Sequence, residues 1–243
     1  MNDILSKVWG YSNLFDESSP SSSNKWCNDK KLSFLKTEVK RRRSDASKRT
    51  SLRSLFVLKE EFIGDVIDDI INYLPKYQQY IEELKKEGCF IVGYVRKSKQ
   101  EIDVDNRIRL LQLMVDRLHS RSLVDKVFVS VSCSSNDPLV QRDINPNDII
   151  EKLKHVDGDM QDLLKLVTVS EKICLVTLDF AGLTTSSKDL KDFVENNNSI
   201  KRIIVDNLPH TNTINIVGRD EILANHEKLK MFEGRSKLNQ RSK

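Results

Sequence analysis

The sequence has no Cys-x-x-Cys pair, no Gly-rich phosphate loop, no dinucleotide fingerprint and no apolar run of membrane-spanning length. Each absence removes a class of protein. Without such a run the chain has no means of crossing a bilayer as a helix, and no membrane partner is expected. Without the glycine motifs, nucleotide-cradling folds lose their main support. The four cysteines, Cys27, Cys89, Cys133 and Cys174, are far apart and have no histidine cluster near them. This speaks against structural zinc and for reduced thiols in an intracellular protein. His119, His155, His210 and His226 show no ligand spacing. "DVDNR" at 103–107 starts like a calcium loop, but the glycine is missing and Met114 stands where the twelfth-position glutamate belongs. No metal and no cofactor are therefore expected. The N-terminal residues include Asp3 in place of a basic stretch, so no export signal is expected either.

Hydrophobic residues make up 38% of the chain and charged residues 31%, enough to build a core for part of it only. The net charge of +4 is mild, so any preference for nucleic acid has to come from where the charge sits. "ESSPSSSN" at 17–24 is a serine tract. "KTEVKRRRSDASKRTSLR" at 36–53 concentrates cations, with Arg41, Arg42, Arg43, Lys48 and Arg49 at its centre. Residues 1–54 are expected to be a disordered basic arm, and "KRRRSDASKR" resembles a nuclear localisation cluster, which a eukaryotic source would make meaningful. Residues 55–87 form a helical segment on spacing, broken by Pro75 and ended by Gly88.

After Gly88 the texture changes. Apolar runs near 90–95, 124–130, 173–178 and 201–205 alternate with helix-period stretches at 103–121, 160–167 and 186–197. Residues 88–207 thus predict an α/β domain with a mainly parallel sheet of four to five strands and helices on both faces. Residues 208–243 follow as a short strand at 214–217, a helix at 220–232 and a basic tail. In such folds function gathers at the carboxyl ends of the strands, where the sequence places Arg96, Ser98, Asp179 and Asp206.

The stretch "CFIVGYVRKSK" at 89–99 ends a predicted buried strand with Tyr94-x-Arg96-x-Ser98. Together with "VDKVFVS", "MQDLLKLV" and "ICLVTLDFAGL", it resembles the catalytic domain of the serine recombinases, the resolvase/invertase superfamily, over about residues 89–207. The resemblance implies a resolvase-like fold that acts on DNA as a homo-oligomer without a metal. Ser98 would be the nucleophile that forms a phosphoseryl link, Arg96 the phosphate clamp and Tyr94 its packing and hydrogen-bonding neighbour. Asp179 would match the aspartate of the family's second motif. The chain also departs from that pattern. Phe180 and Leu183 stand where the family has arginines, and Asp105-Asn106-Arg107 falls where Asp-x-Gln is usual. Gly158 is the nearest match to a further arginine, with Arg142 as its substitute.

A serine attacking a phosphodiester needs dense positive charge around its transition state, and each lost donor costs several kcal/mol. Either Lys97, Lys99, Arg107 and Arg142 supply that charge, or the chain is a recombinase or transposase descendant that no longer cuts. Two further readings stay open. Asp179 and Asp206, at the ends of neighbouring strands, could hold Mg²⁺ for phosphoryl transfer or nuclease chemistry. Alternatively the domain is a non-catalytic DNA-binding or regulatory module. In each recombinase-derived case the basic run, with Lys97, Lys99 and Arg107, is expected to contact the DNA backbone.

Overall fold

The computed structural model describes residues 39–44, 48–53, 61, 63–99, 103–207 and 213–233. The chain divides into two compact units, Met1–Asp68 and Asp69–Lys243. In the first, β1 (Val39–Ser44) pairs antiparallel with β2 (Lys48–Arg53), in a register running from Val39↔Arg53 to Ser44↔Lys48. These residues fall within the 1–54 arm that the sequence predicts to be without order. Val39, Thr50 and Leu52 favour extended backbone, and neither strand contains a glycine, a proline or an acid. The rest of the expected arm, 1–38 and the residues between and after these strands, lies outside the described residues.

Helix α1 (Ile63–Lys86) runs through Pro75, where the sequence predicts a break. Proline removes one intrahelical donor but holds a φ that suits a helix. Asn72, Pro75 and Lys76 are all exposed, so water can satisfy the carbonyl left without its donor. Tyr77, Ile81 and Leu84 recur on the opposite face and are buried, which anchors the helix beyond the proline.

The second unit is built on a five-stranded sheet. Its strands are β3 (Phe90–Arg96), β4 (Lys126–Ser130), β5 (Ile173–Thr177), β6 (Ile200–Asp206) and β7 (Ile214–Gly218), in the order β4-β3-β5-β6-β7. The first four are parallel, as the alternating apolar runs predict; β7 returns antiparallel along β6 and carries the sheet past residue 207. The crossovers are α2 (Val104–Ser122), α3 (Met160–Val169) and α5 (Ser187–Asn196), with the single-turn α4 (Phe180–Leu183) just after β5. The helix expected over 220–232 is two short ones, α6 (Arg219–Ala224) and α7 (His226–Lys230). Asn225 separates them because its side chain accepts from the amides of Glu227 and Lys228 and so starts a new helix.

Alternate strand residues feed two cores. Ile91, Val95, Val127, Val129, Cys174 and Ile204 pack with α1 and α2 on one face. Val92, Tyr94, Phe128, Leu175, Ile203 and Val205 pack with α3, α5 and α6 on the other. Met114 and Met160 are core residues. Burial on both faces explains why the strands read as unbroken apolar runs.

Candidate functional site

The chain steps from β3 to β4 on one side, then crosses back to β5 on the other. The order therefore reverses between β3 and β5, and their carboxyl ends flank the crevice where such folds bind ligands. Arg96, the last residue of β3, occupies this place. Its Nε and Nη2 both donate to the carbonyl of Ala181, at 2.9 and 2.6 Å, and its Nη1 donates to the carbonyl of Cys133 at 2.8 Å. The residue is only 3% exposed. The guanidinium thus ties the segment after β5 to the segment after β4.

Arg142 lies deeper, at 2% exposure, and all five of its N–H groups are engaged. Nε donates to Asp137 O at 3.0 Å, and Nη2 to Asp137 O and Ser135 O at 2.9 and 3.3 Å. Nη1 donates to Leu183 O at 2.6 Å and to the Tyr94 hydroxyl at 3.0 Å. The Tyr94 hydroxyl lies 2.7 Å from Ser130 Oγ, and Ser130 Oγ donates to Asp143 Oδ2. An arginine can only donate and a carboxylate can only accept, so both hydroxyls are oriented. Protons point from Arg142 to Tyr94, from Tyr94 to Ser130, and from Ser130 to Asp143. Burial pushes the Tyr94 phenol up, even though the Arg142 guanidinium beside it pulls the other way. Burial also raises the Asp143 carboxyl, against the hydrogen bonds it accepts from Ser130 and the Met160 amide.

Ser98 follows β3 and is half-buried. Its carbonyl accepts from Arg107 Nη1 at 3.0 Å, and the same nitrogen donates to Val131 O at 2.8 Å. Among the described residues the Ser98 hydroxyl has no hydrogen-bond partner. Lys97 is half-buried, and its backbone pairs with Ser130 O and the Cys133 amide, so the extended chain continues past β3. Lys99 is exposed and pairs with Asp137 Oδ2 at 2.9 Å. Arg107, expected to be a DNA contact, is buried and donates to backbone carbonyls, as does Arg142, expected to substitute for a catalytic arginine.

Asp179 caps α4: its Oδ1 accepts from the Gly182 amide at 2.6 Å. Leu183 is fully buried, and Phe180 packs edge-on against Phe232 with centroids 4.9 Å apart. The positions where the family pattern has arginines therefore belong to the core. Asp206 is fully buried and pairs with Arg121 Nε at 3.1 Å, on the face packed by α2. Asp179 and Asp206 lie at the ends of neighbouring strands, with Asp179 Oδ1 on the Gly182 amide and Asp206 on Arg121. Among the described residues no group of three metal-binding side chains forms.

Several residues of this centre were not singled out in the sequence. Ser130 stands at the carboxyl end of β4, where a polar residue closing an apolar run is a usable signal. Asp143, at φ 55°, sits in the loop after β4. Asp189 accepts from the Leu139 amide at 3.1 and 3.3 Å and joins the same loop to α5, with no local pattern to betray it. Arg41, Arg42, Arg43, Lys48 and Arg49 all fall in the β1–β2 hairpin, away from the residues described above in sequence. Among the described residues no helix is long and apolar enough to cross a membrane. Compared with known proteins, the chain matches no protein-family model, no curated protein and no solved structure.

Proposed function

We propose that the chain is a DNA-binding protein on a recombinase-like α/β domain, whose former reaction centre now holds the fold together. The observation that carries this is Arg96. A phosphate clamp must present N–H groups to its substrate, and its contact must strengthen as charge develops on the phosphate. Here the guanidinium is buried, with Nε, Nη1 and Nη2 bonded to two main-chain carbonyls. The apolar Phe180 and Leu183 support the same conclusion, because they leave the strand-end site short of cations. DNA affinity would come mainly from the basic run, assisted at the strand end by Lys97 and Lys99. The resemblance further suggests a homo-oligomer, and the basic cluster suggests a nuclear address in a eukaryote.

One observation favours the catalytic alternative. Ser98 is half-buried, and its hydroxyl makes no hydrogen bond among the described residues, as an unengaged nucleophile would. Incubation of the full-length protein with nicked and intact duplexes, in chelator, followed by denaturing electrophoresis, separates the two. We expect salt-sensitive duplex binding and no covalent adduct. An adduct that survives chelator and is lost in Ser98→Ala would make the protein a serine recombinase in chemistry as well as in descent. Absence of duplex binding at low salt would overturn the DNA reading altogether.

A further inference from the structure

The hairpin's register sorts its cations by face. Residues directly opposite each other in an antiparallel pair lie on the same side, and neighbours along a strand alternate. The pairs Val39↔Arg53, Arg41↔Ser51 and Arg43↔Arg49 therefore place Arg41, Arg43, Arg49 and Arg53 at positions on one face. Lys40, Arg42 and Lys48 fall at positions on the other. Neither strand contains an acid to neutralise either set. Arg43 directly opposite Arg49 is a like-charge pair, which disfavours a hairpin in isolation and favours one bound to an anion.

Resting on the DNA reading above, we propose that this two-stranded ribbon docks through its four-arginine face into the major groove of duplex DNA. The dimensions suit it. Six residues per strand span roughly 20 Å at about 3.4 Å per residue, and the B-form major groove, about 12 Å wide, admits a two-stranded ribbon. Arginine is the residue whose planar fork meets guanine O6 and N7 in that groove as well as phosphate. A-form RNA offers a deep, narrow groove that side chains cannot read, so a groove-docked ribbon discriminates between the two duplexes.

The test uses the full-length protein, a mixed-sequence 20-base-pair DNA duplex, its single strand, and the RNA duplex of the same sequence, across a salt series. Replacing Arg41, Arg43, Arg49 and Arg53 by Gln should reduce the slope of log affinity against log salt by about 3–4, at ~0.9 per contact. Replacing Lys40, Arg42 and Lys48 by Gln should change it by less than about 1. Thr50→Pro with Ser51→Pro keeps every charge, but one of two consecutive strand residues must donate to its partner, so the pair breaks the ribbon. It should lower duplex affinity as much as the four-arginine change does. Losses that simply follow the number of charges removed, with the proline pair harmless, would make the segment a diffuse polycation and overturn the ribbon. Equal affinity for single strand or RNA duplex would overturn groove docking. Duplex binding that no variant weakens would move the contact elsewhere in the chain. Each of these outcomes leaves the DNA reading standing, whereas a wild-type protein that binds no duplex ends both.

Discussion

The arginines of the strand-end centre and those of the hairpin are the same residue in opposite circumstances. Arg96, Arg107 and Arg142 are buried, and each donates to main-chain carbonyls of the segments that follow β3, β4 and β5. Arg41, Arg43, Arg49 and Arg53 share one face of a two-stranded ribbon with no acid in either strand. A guanidinium whose N–H groups are consumed by carbonyls is a staple. A strand pair that carries cations and no acid is instead a concentration of positive charge. Sequence motifs do not distinguish the two, because both are simply cations near polar loops. What decides is whether irregular backbone surrounds the side chain, since loop carbonyls buried without partners draw in any donor within reach.

If the strand-end arginines are staples, removing them should unfold the domain. The largest effect is expected for Arg142→Met. It strips donors from Ser135, Asp137 and Leu183 carbonyls and from the Tyr94 hydroxyl at once. Unsatisfied buried acceptors of this kind should lower stability by about 4 kcal/mol or more. Urea denaturation reads this as a shift in midpoint. A loss under about 1 kcal/mol would mean that Arg142 is free to serve a ligand.

Arg96 comes next. Arg96→Ala should destabilise by about 3 kcal/mol, and Arg96→Lys by about 1–2, because an ammonium cannot reproduce the forked contact with Ala181 O. Duplex affinity of either variant, measured where it remains folded, should match wild type. A variant with wild-type stability and impaired DNA chemistry would place Arg96 back in the role that its motif suggests.

Most of the fold was legible, and for a physical reason. Strands buried on both faces read as apolar runs, which Lys201 and Arg202 interrupt only at the partly exposed start of β6, so β3, β4, β5 and β6 could each be found from their own residues to within a residue or two. What failed depends on partners distant in sequence. Pro75 looks like a break until Tyr77, Ile81 and Leu84 are seen to anchor the next turns. The basic hairpin depends on pairing that no single strand encodes. At the site, position was legible and the bonding partners were not. Tyr94, Arg96, Asp179 and Arg142 do gather at the strand ends. Arg96 bonds to Ala181 O, a partner 85 positions later in the chain that no local motif specifies. The role of Asp143 was invisible for the same reason.

A pH titration probes the chain of hydrogen bonds that ends at Asp143. Burial raises this carboxyl, so the folded chain keeps the proton to a higher pH than the unfolded chain does. The unfolded chain binds fewer protons there than the native state. The group therefore contributes stability that is complete below the ordinary carboxylate value of about 3.9 and is lost as pH rises through the raised value. Asp143→Asn keeps an oxygen for Ser130 and the Met160 amide but cannot ionise. Relative to wild type it should gain at neutral pH and lose that advantage on acidification, as read from denaturant midpoints at several pH values. A difference between the two proteins that is flat across acid pH would mean Asp143 is hydrated in solution and the oriented chain from Arg142 is open.

The smallest effect is expected at the rim, where the comparison is most easily broken. Lys99 and Asp137 form an ion pair of 2.9 Å, with the lysine side chain 62% exposed. The Lys99 hydrogen bond, followed by that of the Ser134 amide, holds the Asp137 carboxyl below its usual range. That contribution is present above the ordinary carboxylate value and is lost as pH falls through the depressed one. Solvent screening limits it, so Lys99→Ala should change stability by no more than about 0.5 kcal/mol. If the hairpin carries the DNA contact, the same substitution should alter the salt slope of duplex binding by no more than about 1, a single phosphate contact. The side chain beside the same Asp137 whose carbonyl holds Arg142 would then be dispensable for both fold and binding. A loss of affinity as large as that from the four hairpin arginines would instead make the strand-end rim a nucleic-acid surface. The division between stapling and ligand-binding cations would then fall between Arg96, the last residue of β3, and Lys99 just beyond it.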